Sequence, residues 1–206
     1  MPDRNEPLRE QDAAADPLAQ FAAWSEQARA AGVREVEAAA LATASADGVP
    51  SARMLLVKGF DERGFQFFTN YASQKGRELA ANPSAALLFH WDPLGRQVRI
   101  VGRVERAGDE ETASYVRTRA RRSQLSALAS PQSEVIDGRE ALERRVAELE
   151  RRYDDDAELP LPSQWGGFRL VPATYEFWQQ RTDRLHDRLR YRRAVDGDWV
   201  TERLAP

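Results

Sequence analysis

Cysteine is absent from the 206 residues, so neither a disulfide nor a thiolate metal site can brace this chain. That absence fits a reducing compartment, and a cytoplasmic location is expected. Histidine is almost absent, with only His90 and His186. No metal-ligand spacing, Gly-rich nucleotide loop or nucleophile elbow is present. No apolar run approaches the roughly 20 residues a bilayer span needs, and the polar first fifteen residues lack the apolar stretch of a secretory signal. Nor is one sign of charge dominant: 30 basic residues stand against 33 acidic ones, for a net charge of -3. This argues against a general nucleic-acid binder. Lysine is the last scarcity. Lys58 and Lys75 are the only two, and the other 28 basic residues are arginine. Chance accounts for two surviving lysines, and so does a need for compact ammonium groups that a planar guanidinium does not replace.

What is present reads as a flexible N-terminal arm, residues 1–15, followed by one domain, residues 16–206, with 42% hydrophobic residues to build a core. Asp16 and Pro17 form a helix start, and Gly32 a helix stop. Strands are predicted over 40–44, 53–58, 65–70, 85–91 and 97–106, with turns at Asp47-Gly48, Glu62-Arg63-Gly64 and Pro93-Leu94-Gly95. A short helix capped by Ser73 covers 74–81. Longer helices are expected over 110–121 and 138–153, the second with a solvated Glu/Arg face. The last strands are expected over 168–171, 175–178, 184–191 and 199–204. Short antiparallel strands with helices around them close most simply into a small barrel, because closure removes exposed edges.

Three clusters could carry chemistry. Arg53 and Lys58 precede Thr69, Ser73 and Lys75, where a strand leads into a capped helix start. Free N–H groups and the helix dipole suit a phosphate there, although an ordinary cap with surface charges reads the same way. Arg53 and Lys58 differ in strand parity, so either the strand bends or they serve different ligands. Tyr115, Arg119 and Ser123, spaced by four, would share one helix face and could grip a second phosphate; an exposed polar face is the bland reading. Arg184, His186 and Arg188 alternate on an expected strand, and two guanidiniums beside an imidazole are costly to bury without anions. His90, beside Trp91 in an apolar strand, reads as structural.

In this order and spacing the clusters, with Arg53-Met54-Leu55-Leu56-Val57-Lys58, Phe68-Thr69-Asn70, Arg96-Gln97-Val98, Ser123-Gln124, Gln132-Ser133, Trp165-Gly166-Gly167-Phe168, Glu176-Phe177-Trp178-Gln179 and Arg184-Leu185-His186-Asp187-Arg188, resemble the pyridoxamine 5'-phosphate oxidase family over nearly the whole chain. The resemblance implies a mainly β fold with peripheral helices, a split antiparallel β-barrel, forming a homodimer with FMN at the interface. It implies an oxidase that converts pyridoxamine and pyridoxine 5'-phosphates to pyridoxal 5'-phosphate, passing a hydride to FMN and then electrons to O2, with H2O2 formed. By the same resemblance Arg53, Met54, Leu55, Leu56, Val57, Lys58, Phe68, Thr69, Gln74, Lys75, Gln97, Gln132, Ser133, Trp178 and Arg188 form the FMN shell. Lys58, Tyr115, Arg119 and Ser123 hold the substrate phosphate, and Arg184 and His186 lie over the substrate ring as the catalytic pair. No metal, nucleic acid or membrane partner is implied.

The sequence departs from the family pattern at Gln74, where an arginine is common beside the lysine, at Ala120, where proline is common, and in an arm without the Arg-rich, tyrosine-bearing segment. Two other readings remain. One is a phenazine-biosynthesis type FMN oxidase, whose relatives share Ser73-Gln74-Lys75-Gly76-Arg77-Glu78-Leu79. The other is a non-catalytic flavin- or haem-binding split barrel.

Overall fold

The computed structural model describes residues 6–154 and 157–206. Helix α1 (Pro17–Ala30) starts where expected: the Asp16 carboxylate accepts the Leu18 N–H at 3.0 Å, and Pro17 occupies the first turn. It ends at Gly32, whose φ of 82° lets the Val33 N–H turn back to the Ala28 carbonyl. The strands follow as β1 (Ala38–Ala44), β2 (Pro50–Leu56), β3 (Gly59–Asp61) and β4 (Gly64–Asn70). Helix α2 (Gln74–Ala81) leads to β5 (Ser84–Trp91) and β6 (Arg96–Arg106). Helices α3 (Asp109–Thr118), α4 (Arg121–Ala129) and α5 (Arg139–Arg152) precede β7 (Trp165–Gln179), β8 (Asp187–Arg193) and β9 (Trp199–Arg203). Among the described residues no helix is long and apolar enough to cross a membrane.

Among the described residues the nine strands join one antiparallel sheet in the order β2-β1-β5-β6-β7-β4-β3, with β8 also on β7 and β9 on β8. Just past the end of β2, the Lys58 N–H donates to the Gln66 carbonyl at 2.7 Å and extends the β3–β4 pairing, in which Gly59 faces Gln66, and the sheet curls into a half-barrel. The mainly β class with peripheral helices is therefore as expected. Inward positions alternate along the strands and bury Leu41, Phe65, Phe67, Leu87, Phe89, Ile100, Leu170 and Phe177. Phe21 of α1 plugs this interior, edge-on to Phe60, Phe65 and Phe89 at 4.9–5.0 Å. The outer face of the same strands leaves Met54, Leu56, Leu88 and Val101 exposed.

Several expectations are corrected. The two strands expected over 168–171 and 175–178 are one strand, β7. Pro172 cannot donate to a ladder and so looks like a break, but the β6–β7 register shifts at Val101/Gly102 and the ladder resumes. The helix expected over 110–121 ends at Thr118; Arg119 and Ala120 are extended, and α4, not foreseen, begins at Arg121. Tyr115, Arg119 and Ser123 are therefore not stacked on one helix. Strand β2 runs over 50–56 rather than 53–58, so Lys58 lies beyond its end and strand parity with Arg53 does not apply. Strand β8 begins at Asp187, leaving Arg184 and His186 in the preceding turn, where Arg184 has a φ of 65°. His90 stands exposed on the outer face of β5. Within the expected arm, Leu8 is buried, its N–H donates to Asp187 at 3.1 Å, and Glu10 pairs with Arg203. Met1–Asn5 lie outside the described residues.

Candidate functional site

A cleft of about 640 Å³ opens where the end of β2, β4, the start of α2 and the α3–α4 junction converge. Ser73 caps α2, accepting the Gly76 N–H, and this sets Lys75 in the first helical turn. Gly76 allows it, because a Cβ there would stand 2.2 Å from the Tyr71 carbonyl oxygen. Lys75 is buried, and its Nζ donates to Thr69 Oγ1 at 3.1 Å, Gln132 Oε1 at 3.2 Å and Ser73 Oγ at 3.4 Å. All three partners are neutral. Burial, helped by the nearby Arg53 charge, pushes the Lys75 pKa down.

The opposite wall carries Lys58, Tyr115, Arg119 and Ser123. The extended break at Arg119-Ala120 turns the chain so that these residues, from α3, the junction and α4, still face one space. Phe68, Tyr115 and Trp165 lie nearly parallel, with Phe68 3.9 Å from Tyr115 between ring centroids, and the Arg119 guanidinium sits 4.7 Å over Trp165. Arg119 Nη1 is buried and has no hydrogen-bond partner among the described residues. A buried donor left so is costly unless a ligand meets it. Burial pushes the Tyr115 phenol up, so it stays a neutral O–H donor near neutrality. Met54, Leu55 and Leu56 complete the rim.

Other expected residues lie elsewhere. Arg53 donates to Thr43, Ser51 and Glu78, forming an ion pair with Glu78 at 3.2 Å, and Gln74 Nε2 donates to Glu78 Oε1 at 2.8 Å. Both therefore hold a buried carboxylate beside the cleft. Burial alone would raise the Glu78 pKa, but hydrogen bonds from Thr43, Ser51, Gln74 and Arg53 outweigh it and bring it to about 2. The Val57 side chain belongs to the core. Gln132 reaches the cleft, whereas Ser133 is exposed outside it with a φ of 74°.

The remaining residues form a second set across the sheet. Gln97, Trp178 and Arg188 are direct neighbours in the β6–β7–β8 ladders, and the His186 ring lies 4.6 Å from Trp178. The Arg181 N–H donates to His186 Nδ1 at 3.0 Å, and Arg188 pairs with Glu176 at 2.8 Å. Arg184 is exposed in the turn just before. In one chain this set does not line the cleft. Trp165, Thr118 and the Glu78 network were missed as site features. The Trp165-Gly166-Gly167-Phe168 stretch held the signal for Trp165, since a Cβ on Gly167 would stand 3.0 Å from the Phe68 ring. A recess of about 690 Å³ between α4, α5 and residues 160–164 is lined by none of the expected residues.

Residues 25–153 match the family described as pyridoxamine 5'-phosphate oxidase, and residues 165–206 match the pyridoxine 5'-phosphate oxidase C-terminal dimerisation region. The chain belongs to the pyridoxamine 5'-phosphate oxidase family. Among the relatives of this oxidase-family chain is the pyridoxine/pyridoxamine 5'-phosphate oxidase of Salinibacter ruber, 54% identical over 93% of this chain and 89% of the relative. The protein of the same name from Cupriavidus pinatubonensis is 52% identical over 97% of this chain and 93% of its own. The solved structure of PhzG from Burkholderia lata, in complex with tetrahydrophenazine-1-carboxylic acid, superposes with a TM-score of 0.91. Its identity is 36%, over 98% of this chain and all of that one. A related FMN-binding protein from Nostoc punctiforme, at 20% identity and a TM-score of 0.73, shares the fold.

Proposed function

We propose that this protein oxidises pyridoxamine 5'-phosphate and pyridoxine 5'-phosphate to pyridoxal 5'-phosphate, with FMN as hydride acceptor and O2 as final oxidant, giving H2O2. One observation carries the reading: a single cleft holds two cationic seats with no anion among their hydrogen-bond partners. Lys75 has only neutral partners among its hydrogen bonds, and Arg119 Nη1 has none at all. Each of these desolvated cations gains from a phosphate. Lys75, with Thr69 and Gln132, would hold the FMN phosphate, and the Met54–Leu56 rim and Phe68 its ring. Lys58, Tyr115, Arg119 and Ser123 would hold the substrate phosphate. FMN, when bound, supplies the redox chemistry; the chain's residues bind, orient and exclude water.

The second set reaches the same ligands through a partner. Leu56 lines the cleft, whereas Trp178 on β7 does not line it in the same chain. A two-fold axis over the exposed outer face would bring β2 of one subunit against β6–β8 of the other, in keeping with the C-terminal dimerisation region. Gln97, Trp178 and Arg188 would then complete the FMN shell, and Arg184 and His186 would lie over the substrate ring. Arg184 would hold the phenolic oxygen, with His186 assisting by hydrogen bonding.

The similarity to PhzG keeps a phenazine-type oxidase as a second reading. A ring acid without a phosphate leaves Lys58, Tyr115, Arg119 and Ser123 without a common partner, which favours the first. Purified protein decides between them. Yellow protein that releases FMN and forms peroxide with pyridoxamine 5'-phosphate, but not with unphosphorylated pyridoxamine, is the expected result. Flavin-loaded protein inert toward both B6 phosphates would sink the proposal.

A further inference from the structure

We propose that Asp187 is a positioning residue, through which the N-terminal arm and the C-terminal strand hold His186 and Arg188 in place; this rests on the function proposed above. Asp187 is opposite Gln179 in the β7–β8 ladder, and Arg188 is opposite Trp178. Successive residues on a strand point to opposite faces. Asp187 therefore projects away from the face that carries Trp178 and Arg188, and reaches the site only through the backbone.

Its carboxylate is a junction of three segments. Oδ2 accepts the Leu8 N–H of the arm at 3.1 Å, and Oδ1 accepts Arg203 Nη1 of β9 at 2.8 Å. Arg181 Nε, in the turn that also donates its N–H to His186, lies 3.8 Å from Oδ2. Arg203 ties the junction further, donating to both oxygens of Glu10 at 2.6 and 2.8 Å and to the Leu8 carbonyl at 2.9 Å. Leu8 anchors the arm by burial in the core. The junction spans residues 8, 10, 181, 187 and 203, so the turn bearing Arg184 and His186 is fixed at its β8 end by contacts from both chain termini. Arg184, at φ 65°, sits in that turn in a conformation a non-glycine residue adopts only when its surroundings impose it.

The test uses the FMN-loaded full chain and compares wild type with D187N and E10Q. Wild-type peroxide formation from pyridoxamine 5'-phosphate is measured first, because its absence refutes the proposed function and not the junction. D187N keeps the shape but loses the charge. It is expected to lower kcat/KM per bound flavin about tenfold, the equivalent of roughly 1.4 kcal/mol. It is also expected to weaken binding of pyridoxal 5'-phosphate, read from the flavin absorbance of protein saturated with FMN. E10Q, a change at an exposed side chain, is expected to change both quantities in the same direction by a smaller factor. Wild-type kcat/KM and product affinity in both variants would overturn the proposal. So would losses in D187N that vanish when normalised to folded, flavin-bearing protein.

Discussion

Lys75 and Arg119 show how one side chain can be expensive alone and useful with a ligand. Lys75 is buried without a carboxylate among its hydrogen-bond partners, and its pKa is pushed down by desolvation. A phosphate beside it would favour the charged form. Lys75→Met is therefore expected to weaken FMN binding by roughly ten- to a hundredfold, from a charge-assisted bond of about 1.5–3 kcal/mol. It should leave the melting temperature of the flavin-free protein unchanged or raised; fluorescence titration and thermal melts check the two halves. The sign with pH follows from the same burial: FMN affinity falls as pH rises through the depressed Lys75 pKa, and Lys75→Met abolishes that limb. Arg119→Ala, removing the unpartnered donor, is expected to raise KM for pyridoxamine 5'-phosphate more than tenfold and to leave FMN affinity nearly unaltered, as steady-state kinetics and flavin titration would show. These residues were legible in the sequence because charge and spacing mark them. That Glu78 would engage both Arg53 and Gln74 was not legible, because nothing local in the sequence reveals that contact.

At the scale of elements, the site depends on where helices and strands stop. Helix α3 stops at Thr118, and the extended Arg119-Ala120 pair aims Arg119 at Trp165 instead of along a helix face. A four-residue spacing cannot signal that break, because the same residues would also suit an unbroken helix. The capped start of α2 was legible from Ser73 alone. Its seating on the 70–72 turn depends on Gly76, whose added Cβ would meet backbone at 2.2 Å. Gly76→Ala is expected to cost about 1–3 kcal/mol of stability, measured by denaturant unfolding. It should also displace Lys75 enough to lower FMN affinity.

Across the whole molecule, the proposed pairing of outer sheet faces bears on assembly, and the buried Glu78 network bears on tolerance of acid. Leu88 is exposed on the outer face, away from the cleft. Leu88→Glu is expected to shift the dimer toward monomer in sedimentation, and to lower FMN content because each proposed site draws on both subunits. Glu78 has a pKa of about 2 in the folded chain against a model-compound value of 4.5. Its contribution is fully present above pH 4.5 and is lost as pH falls from there toward 2. Urea midpoints measured between pH 6 and pH 3 should drop for wild type and drop less for Glu78→Gln, whose starting stability is lower.

The sequence alone determined the antiparallel β architecture, the capped helices α1 and α2 and the cationic side chains that the cleft gathers. Alternation, caps and charge are local properties, written within a few residues of where they act. Tertiary structure alone decided that β7 is continuous through Pro172, that Arg53 serves Glu78, and that the cleft and the Gln97-Trp178-Arg188 row stand apart in one chain. Those outcomes depend on which distant strands pair and which buried charges find each other, and the free energies that settle them come from contacts between residues far apart in the chain.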